Sequence, residues 1–176
     1  MSLEKYYRQC ETIASLWIED INRYTDEQFL RKPDDRQWSI GQVYEHLIQS
    51  AMSFHLEQIR LCTDKRGVEM QGGKKPPGRI IYFFGNIPPM RIQVPPSPTY
   101  TPKQPSGKNE IADRLRGVLR VMKEIQPAVE SASQSQKTEH PAFGYLNARE
   151  WFQLIPMHYR HHRRQQSRLN KFLGVK

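Results

Sequence analysis

Cysteine is nearly absent from this chain of 176 residues: Cys10 and Cys62 are the only two. They are far apart and fall in segments with helical periodicity, which excludes a disulfide framework and predicts reduced thiols. Long apolar runs are missing too. No stretch approaches the roughly eighteen consecutive apolar residues that a membrane span needs. The opening segment MSLEKYYRQCETIASLW is charged and amphipathic, without the apolar core and small-residue cleavage site of a secretory leader. The expectation is a cytoplasmic protein with no membrane partner. Acidic residues are in deficit, 18 against 27 Lys and Arg, for a net charge of +9. Such a balance admits nucleic acid, anionic substrates or membrane surfaces as partners and does not choose among them.

What is present is helical periodicity. Leu3, Tyr7, Cys10, Ala14, Trp17, Ile21 and Tyr24 form one apolar stripe. Then comes TDEQFLRKPDDRQW, a turn with room for one helical turn before Pro33 stops it. Ser39 and Gln42 have capping-box spacing and open a second helix, with Ile40, Val43, Leu47, Ser50, Phe54 and Leu61 as its stripe. Ile111, Leu115, Val118, Met122, Ile125 and Val129 make a third. Asn147 and Glu150 open a fourth, striped by Trp151, Ile155, His158, His162, Gln165, Leu169 and Phe172. No segment outside the middle of the chain alternates like a half-buried strand, although RIIYFF (79–84) is compatible with brief pairing.

These stripes predict an all-α fold, a four-helix bundle formed as one domain over 1–176. Residues 25–38 and 134–146 are short to medium links. Residues 63–106 are a long Pro-rich crossover between helices two and three, enough to let those helices run parallel in an up-down-down-up order. Ile80, Ile81, Tyr82, Phe83 and Phe84 within it predict that much of the loop packs across the bundle.

The stretch MHYRHHRRQQ (157–166) holds three histidines and three arginines. At about 100° per residue, His158 and His162 lie about 40° apart within the apolar stripe, and His161 sits at its edge. Arg160, Arg163, Arg164 and Arg168 fall on the other half, as a solvated face. Two inward imidazoles one turn apart are either a hydrogen-bonded core pair or two metal ligands. Tyr159 stands where a zinc protease would carry its glutamate base, which argues against that chemistry. His46 on helix two is an available third ligand. It lies roughly 10 Å from the start of its helix, and His162 and His158 lie roughly 15 and 21 Å from the end of theirs. In the order above, those ends match. His55 reads as a surface residue and His140 as part of a turn.

QWSIGQVYEHLIQS (37–50) and HPAFGYLNAREWFQLIPMHYRHHRRQ (140–165) together resemble the two signatures of the DinB/YfiT-like superfamily. PPSPTYTP (95–102) is similar to the proline-rich segment that often precedes its third helix. The resemblance implies a four-helix bundle holding one divalent metal (Zn, Ni, Fe or Mn) on His46, His158 and His162, with homodimers common. It implies a metal-dependent hydrolase or transferase acting on a small molecule, with low-molecular-weight thiols among the cofactors of relatives. Arg79 and Arg91 are then candidates for a thiol cofactor's carboxylates, and Gln165 and Tyr159 for contacts to the ligand rings. A non-catalytic metal-binding stress or interaction protein is the alternative. Nucleic-acid binding through the arginines ranks last, for want of a recognised motif or interleaved aromatics.

Overall fold

The computed structural model describes residues 2–89 and 101–175. Helix α1 (Leu3–Asp20) starts at Ser2, whose side chain accepts from the Lys5 amide. Its stripe is buried throughout and continues through the short 3₁₀ turn Ile21–Arg23 to Tyr24. Helix α2 (Asp26–Leu30) is the single turn allowed before Pro33; a Thr25–Gln28 capping box starts it and Phe29 anchors it.

Helix two is not regular. Ser39 and Gln42 form the expected capping box at the start of α3 (Ile40–Gln49). A π-helical turn then spans Ser50–His55, and α4 (Leu56–Thr63) follows. Wider turns carry more residues each, so side chains four apart stay in line through the π segment. Leu47, Ala51, His55, Ile59 and Cys62 are therefore buried, with Ile48 and Leu56 beside them, while Ser50, Phe54 and Leu61 are only partly covered. The expectation that His55 is a surface residue is thereby corrected: it is 3% exposed.

The stretch 79–84 belongs to a helix, α5 (Pro76–Phe84), and not to a strand. Its two prolines suit a first helical turn, and Gly85, at φ 64°, closes it in the left-handed conformation. Ile81 and Ile87 are buried, and Tyr82 donates to the Glu150 carbonyl at 2.8 Å. Further along, Gln42 donates to the Pro102 carbonyl at 2.7 Å and Gln104 to that of Leu30 at 2.6 Å. Arg91 and most of PPSPTYTP lie outside the described residues.

Helix α6 (Ile111–Ser131) buries its stripe, with Ile125 partly covered. The segment expected to be a plain link is instead a hairpin. Strand β1 (Val68–Glu69) pairs antiparallel with β2 (Gln136–His140), and β2 with β3 (Gly144–Asn147), in the order β1-β2-β3. His140 faces Gly144 across its end. The fold is thus mostly helical, with a small sheet added to the all-α expectation.

Helix α7 (Ala148–Leu173) opens on the Asn147–Glu150 capping box and touches α1, α3, α4 and α6. Arg164 and Arg168 are exposed as expected, but Arg160 and Arg163 are partly buried between α7 and its neighbours. Arg163 pairs with Asp20 at 2.6 Å and lies over the Trp17 ring. Arg160 reaches the Gly85 carbonyl at 3.1 Å, and Arg164 that of Ile87 at 3.4 Å. Gln166 is the buried glutamine, bonded to Asp20 and Tyr24, while Phe172 is 41% exposed.

Candidate metal centre

α3 and α7 bring three imidazoles to one point. His46 Nε2 lies 3.2 Å from His158 Nε2, and His162 Nε2 lies 3.0 Å from the same atom. One ring nitrogen from each of the three lies within 4.8 Å of the others. The one-turn spacing of His158 and His162 accounts for one side, and the seam between α3 and α7 supplies His46 opposite.

The outer ring nitrogens decide what these inner atoms carry. His162 Nδ1 lies 2.8 Å from Gln165 Oε1, a carbonyl oxygen that only accepts, so Nδ1 holds the proton. His158 Nδ1 lies 3.3 Å from Ser50 Oγ. That hydroxyl already donates to the His46 carbonyl at 2.6 Å, so it receives the His158 proton. Both Nε2 atoms are therefore bare lone pairs, 3.0 Å apart with no proton between them. Neither ring of that pair can donate to the other, so what they share comes from outside it: a proton on His46 Nε2, 3.2 Å from His158 Nε2, or a cation. A cation in the middle would satisfy both lone pairs, so the donor set fits a divalent metal.

The protonation states agree. Burial holds His46 down to about 4, with His161 adding to it. Burial, then His46, holds His162 down to about 3. His158 lies well below the usual imidazole range, through burial and the rings of His162, His46 and His55. All three are neutral at pH 7, as ligation requires. Among the described residues, no carboxylate, thiol or fourth imidazole joins the cluster. The cluster thus offers three donors, one fewer than the four of a closed structural zinc site.

The other candidates sort clearly. Gln165 stands against His162. Tyr159 is fully buried and its hydroxyl donates to the Leu47 carbonyl at 3.3 Å; it bonds none of the three rings. Neighbours in sequence point about 100° apart on a helix, which turns Tyr159 away from the ring of His158. Arg79 is exposed on α5. His161 lies edge-on to His162, its ring centroid 5.5 Å away. Ser50 and Trp38 are the neighbours that reading the sequence missed. Trp38 leans on the His46 ring at 5.0 Å. Ser50 stands four residues after His46 on the same face, a spacing that could have flagged it. On the far side, His55 contacts His158 at 5.4 Å, and an aromatic group of Phe54, Trp151, Phe143 and His140 continues outward.

This bundle with a three-histidine centre defines a class. The model of the DinB superfamily matches residues 11–166, and the chain belongs to that superfamily. YfiT from Bacillus subtilis, described as a probable metal-dependent hydrolase with an unusual four-helix bundle topology, is a structural neighbour. It matches with a TM-score of 0.64 and 13% identity, over 99% of this chain and 89% of that one. At that identity the likeness is one of fold. No curated protein matches the chain.

Proposed function

We propose that the protein binds one divalent cation through His46, His158 and His162 and uses it in hydrolysis or group transfer on a small molecule. The observation that carries this reading is the pair of bare Nε2 atoms on His158 and His162, fixed by Ser50 and Gln165. A divalent metal held there would supply a Lewis acid and lower the pKa of a water or a thiol. The chain's own part is to hold three neutral imidazoles, those of His158 and His162 in fixed tautomers, and to leave the remaining side of the centre free of protein donors. Water makes the protein a hydrolase; a low-molecular-weight thiol makes it a transferase. The reading takes residues 1–176 as one domain and the helix order as up-down-down-up, in a homodimer. Four contacts support that order. Tyr24 meets Asn170 near the ends of α1 and α7; Glu45 meets Arg114 near the starts of α3 and α6; and α3–α4 runs opposite to α7, with His46 against His158 within α7 and Cys62 against the Leu146 carbonyl just before its start.

The test is metal content by plasma mass spectrometry on tag-free protein beside a His158→Ala, His162→Ala double variant. About one divalent ion per chain, lost in a variant that keeps its helical circular dichroism, is the expected result. The metal identity comes from the same measurement. Wild-type protein that neither carries nor takes up any of the four metals would sink the reading. Turnover of ester, amide and electrophile panels, with and without thiols, then separates hydrolase from transferase. Bound metal with no turnover leaves a non-catalytic metal-binding role.

A further inference from the structure

Helix α5 presents its apolar residues the wrong way round for a helix packed on a protein. Gly78 and Ile81 face inward, while Ile80, Phe83 and Phe84 are 50%, 84% and 73% exposed. The two phenyl rings stand edge to face at 5.1 Å. The helix is anchored at both ends. Gly78 sits flush on the Phe143 carbonyl, and Arg160 and Arg164 bond the carbonyls of Gly85 and Ile87 just beyond the helix. At 84% exposure Phe83 stands proud of the surface.

The chain segment that carries α5 is basic. From Met70 to Asn109 the chain has six Lys and Arg and no Asp or Glu. Lys74 and Lys75 pair with Glu150 and Glu139. Among the described residues, no carboxylate pairs with Arg79, Arg160 or Arg164. Arg160 also links the α5 tip to α1, reaching Gln9 beside the exposed Leu16.

We propose that the tip of α5, Ile80–Phe84, is a peripheral docking surface for an anionic phospholipid bilayer. The phenyl rings enter the interfacial region, and Arg79, Arg160 and Arg164 meet the lipid phosphates. Protruding aromatics near guanidinium groups that lack a carboxylate partner suit that medium: the rings lose water while the charges stay at headgroup level. A second copy fits less well, because an isologous contact would set the same cations against each other. No helix among the described residues is long and apolar enough to cross a membrane, so the contact is superficial.

The experiment is co-sedimentation of the purified full chain with vesicles, either of phosphatidylcholine alone or of equal parts phosphatidylcholine and phosphatidylglycerol. Binding to the anionic vesicles only, weakened by salt and by Arg79→Glu, is expected. A Phe83→Ser, Phe84→Ser variant should bind roughly tenfold more weakly with an unchanged thermal midpoint, since both rings are exposed. No binding to anionic vesicles at low salt overturns the proposal. So does binding that the double variant leaves intact, which would be plain adsorption of a cationic protein. Light scattering on the same samples identifies the rival occupant: wild-type oligomers that the double variant turns into monomers, without vesicle binding, would assign the face to a second copy.

Discussion

Ser50 Oγ lies 3.3 Å from His158 Nδ1 while donating its own proton to the His46 carbonyl at 2.6 Å. One hydroxyl therefore ties the backbone of one proposed ligand to the ring of another. It does so from the first residue of the π turn, where α3 would otherwise continue regularly. The local widening of the helix thus serves both core and centre: it buries His55 and leaves Ser50 beside His158.

Removing that hydroxyl frees the His158 tautomer. Ser50→Ala is expected to weaken metal binding roughly tenfold, and Ser50→Thr to retain most of it. Competition with a chromophoric chelator measures this. Equal affinity in wild type and Ser50→Ala would show that the hydroxyl does not orient the ring.

Buried neutral histidines make the metal-free protein acid-sensitive above the carboxylate range. Burial, then His140 and His46, holds His55 down to about 3, and His46 and His162 are held at about 4 and 3. In the unfolded chain they titrate near 6.5. The folded state therefore binds fewer protons below that pH. Stability is complete above about 6.5 and falls as pH drops from there toward the folded values. Each such histidine removes up to about 1.4 kcal/mol per pH unit in that window. Urea unfolding of metal-free protein between pH 8 and 5 should reveal the decline, and His55→Gln should flatten it. A flat profile to pH 5 would contradict the burial argument.

Gly78 has no room for a side chain. A Cβ there would lie 2.3 Å from the Phe143 carbonyl oxygen, a backbone atom that cannot swing aside. Gly78→Ala is expected to cost about 2 kcal/mol and to lift α5. Hydrogen exchange over residues 76–84 should speed up while the amides of α1 and α6 stay protected.

Neither thiol should be reactive in the native state. Burial pushes the Cys10 thiol up to about 12 and raises that of Cys62 as well. Both side chains are buried and unpaired. Ellman's reagent should label them only on unfolding, at a rate set by opening of the structure. Prompt labelling of native protein at pH 7 would overturn this.

The stripes of α1 and α6, both predicted capping boxes and the one-turn spacing of His158 and His162 were all legible in the residues. Each is local: a helix places positions three and four apart on one face whatever surrounds it, and a cap is completed within four residues. Local rules could not set the phase of a helix that changes pitch, so His55 was misassigned. Nor could they distinguish Gln165 from Gln166, because which side of α7 is covered depends on where α1 lies. The hairpin was hidden because QKTEH is polar and owes its strand form to partners at Val68–Glu69 and Gly144–Asn147. The same limit applies at the centre. Sequence supplied three histidines with suitable spacing and Gln165 one turn after His162; the tertiary structure decided that Ser50, on another helix, stands at the outer nitrogen of His158 and that His46 faces the other two rings, because contacts between helices are chosen by space and not by order along the chain.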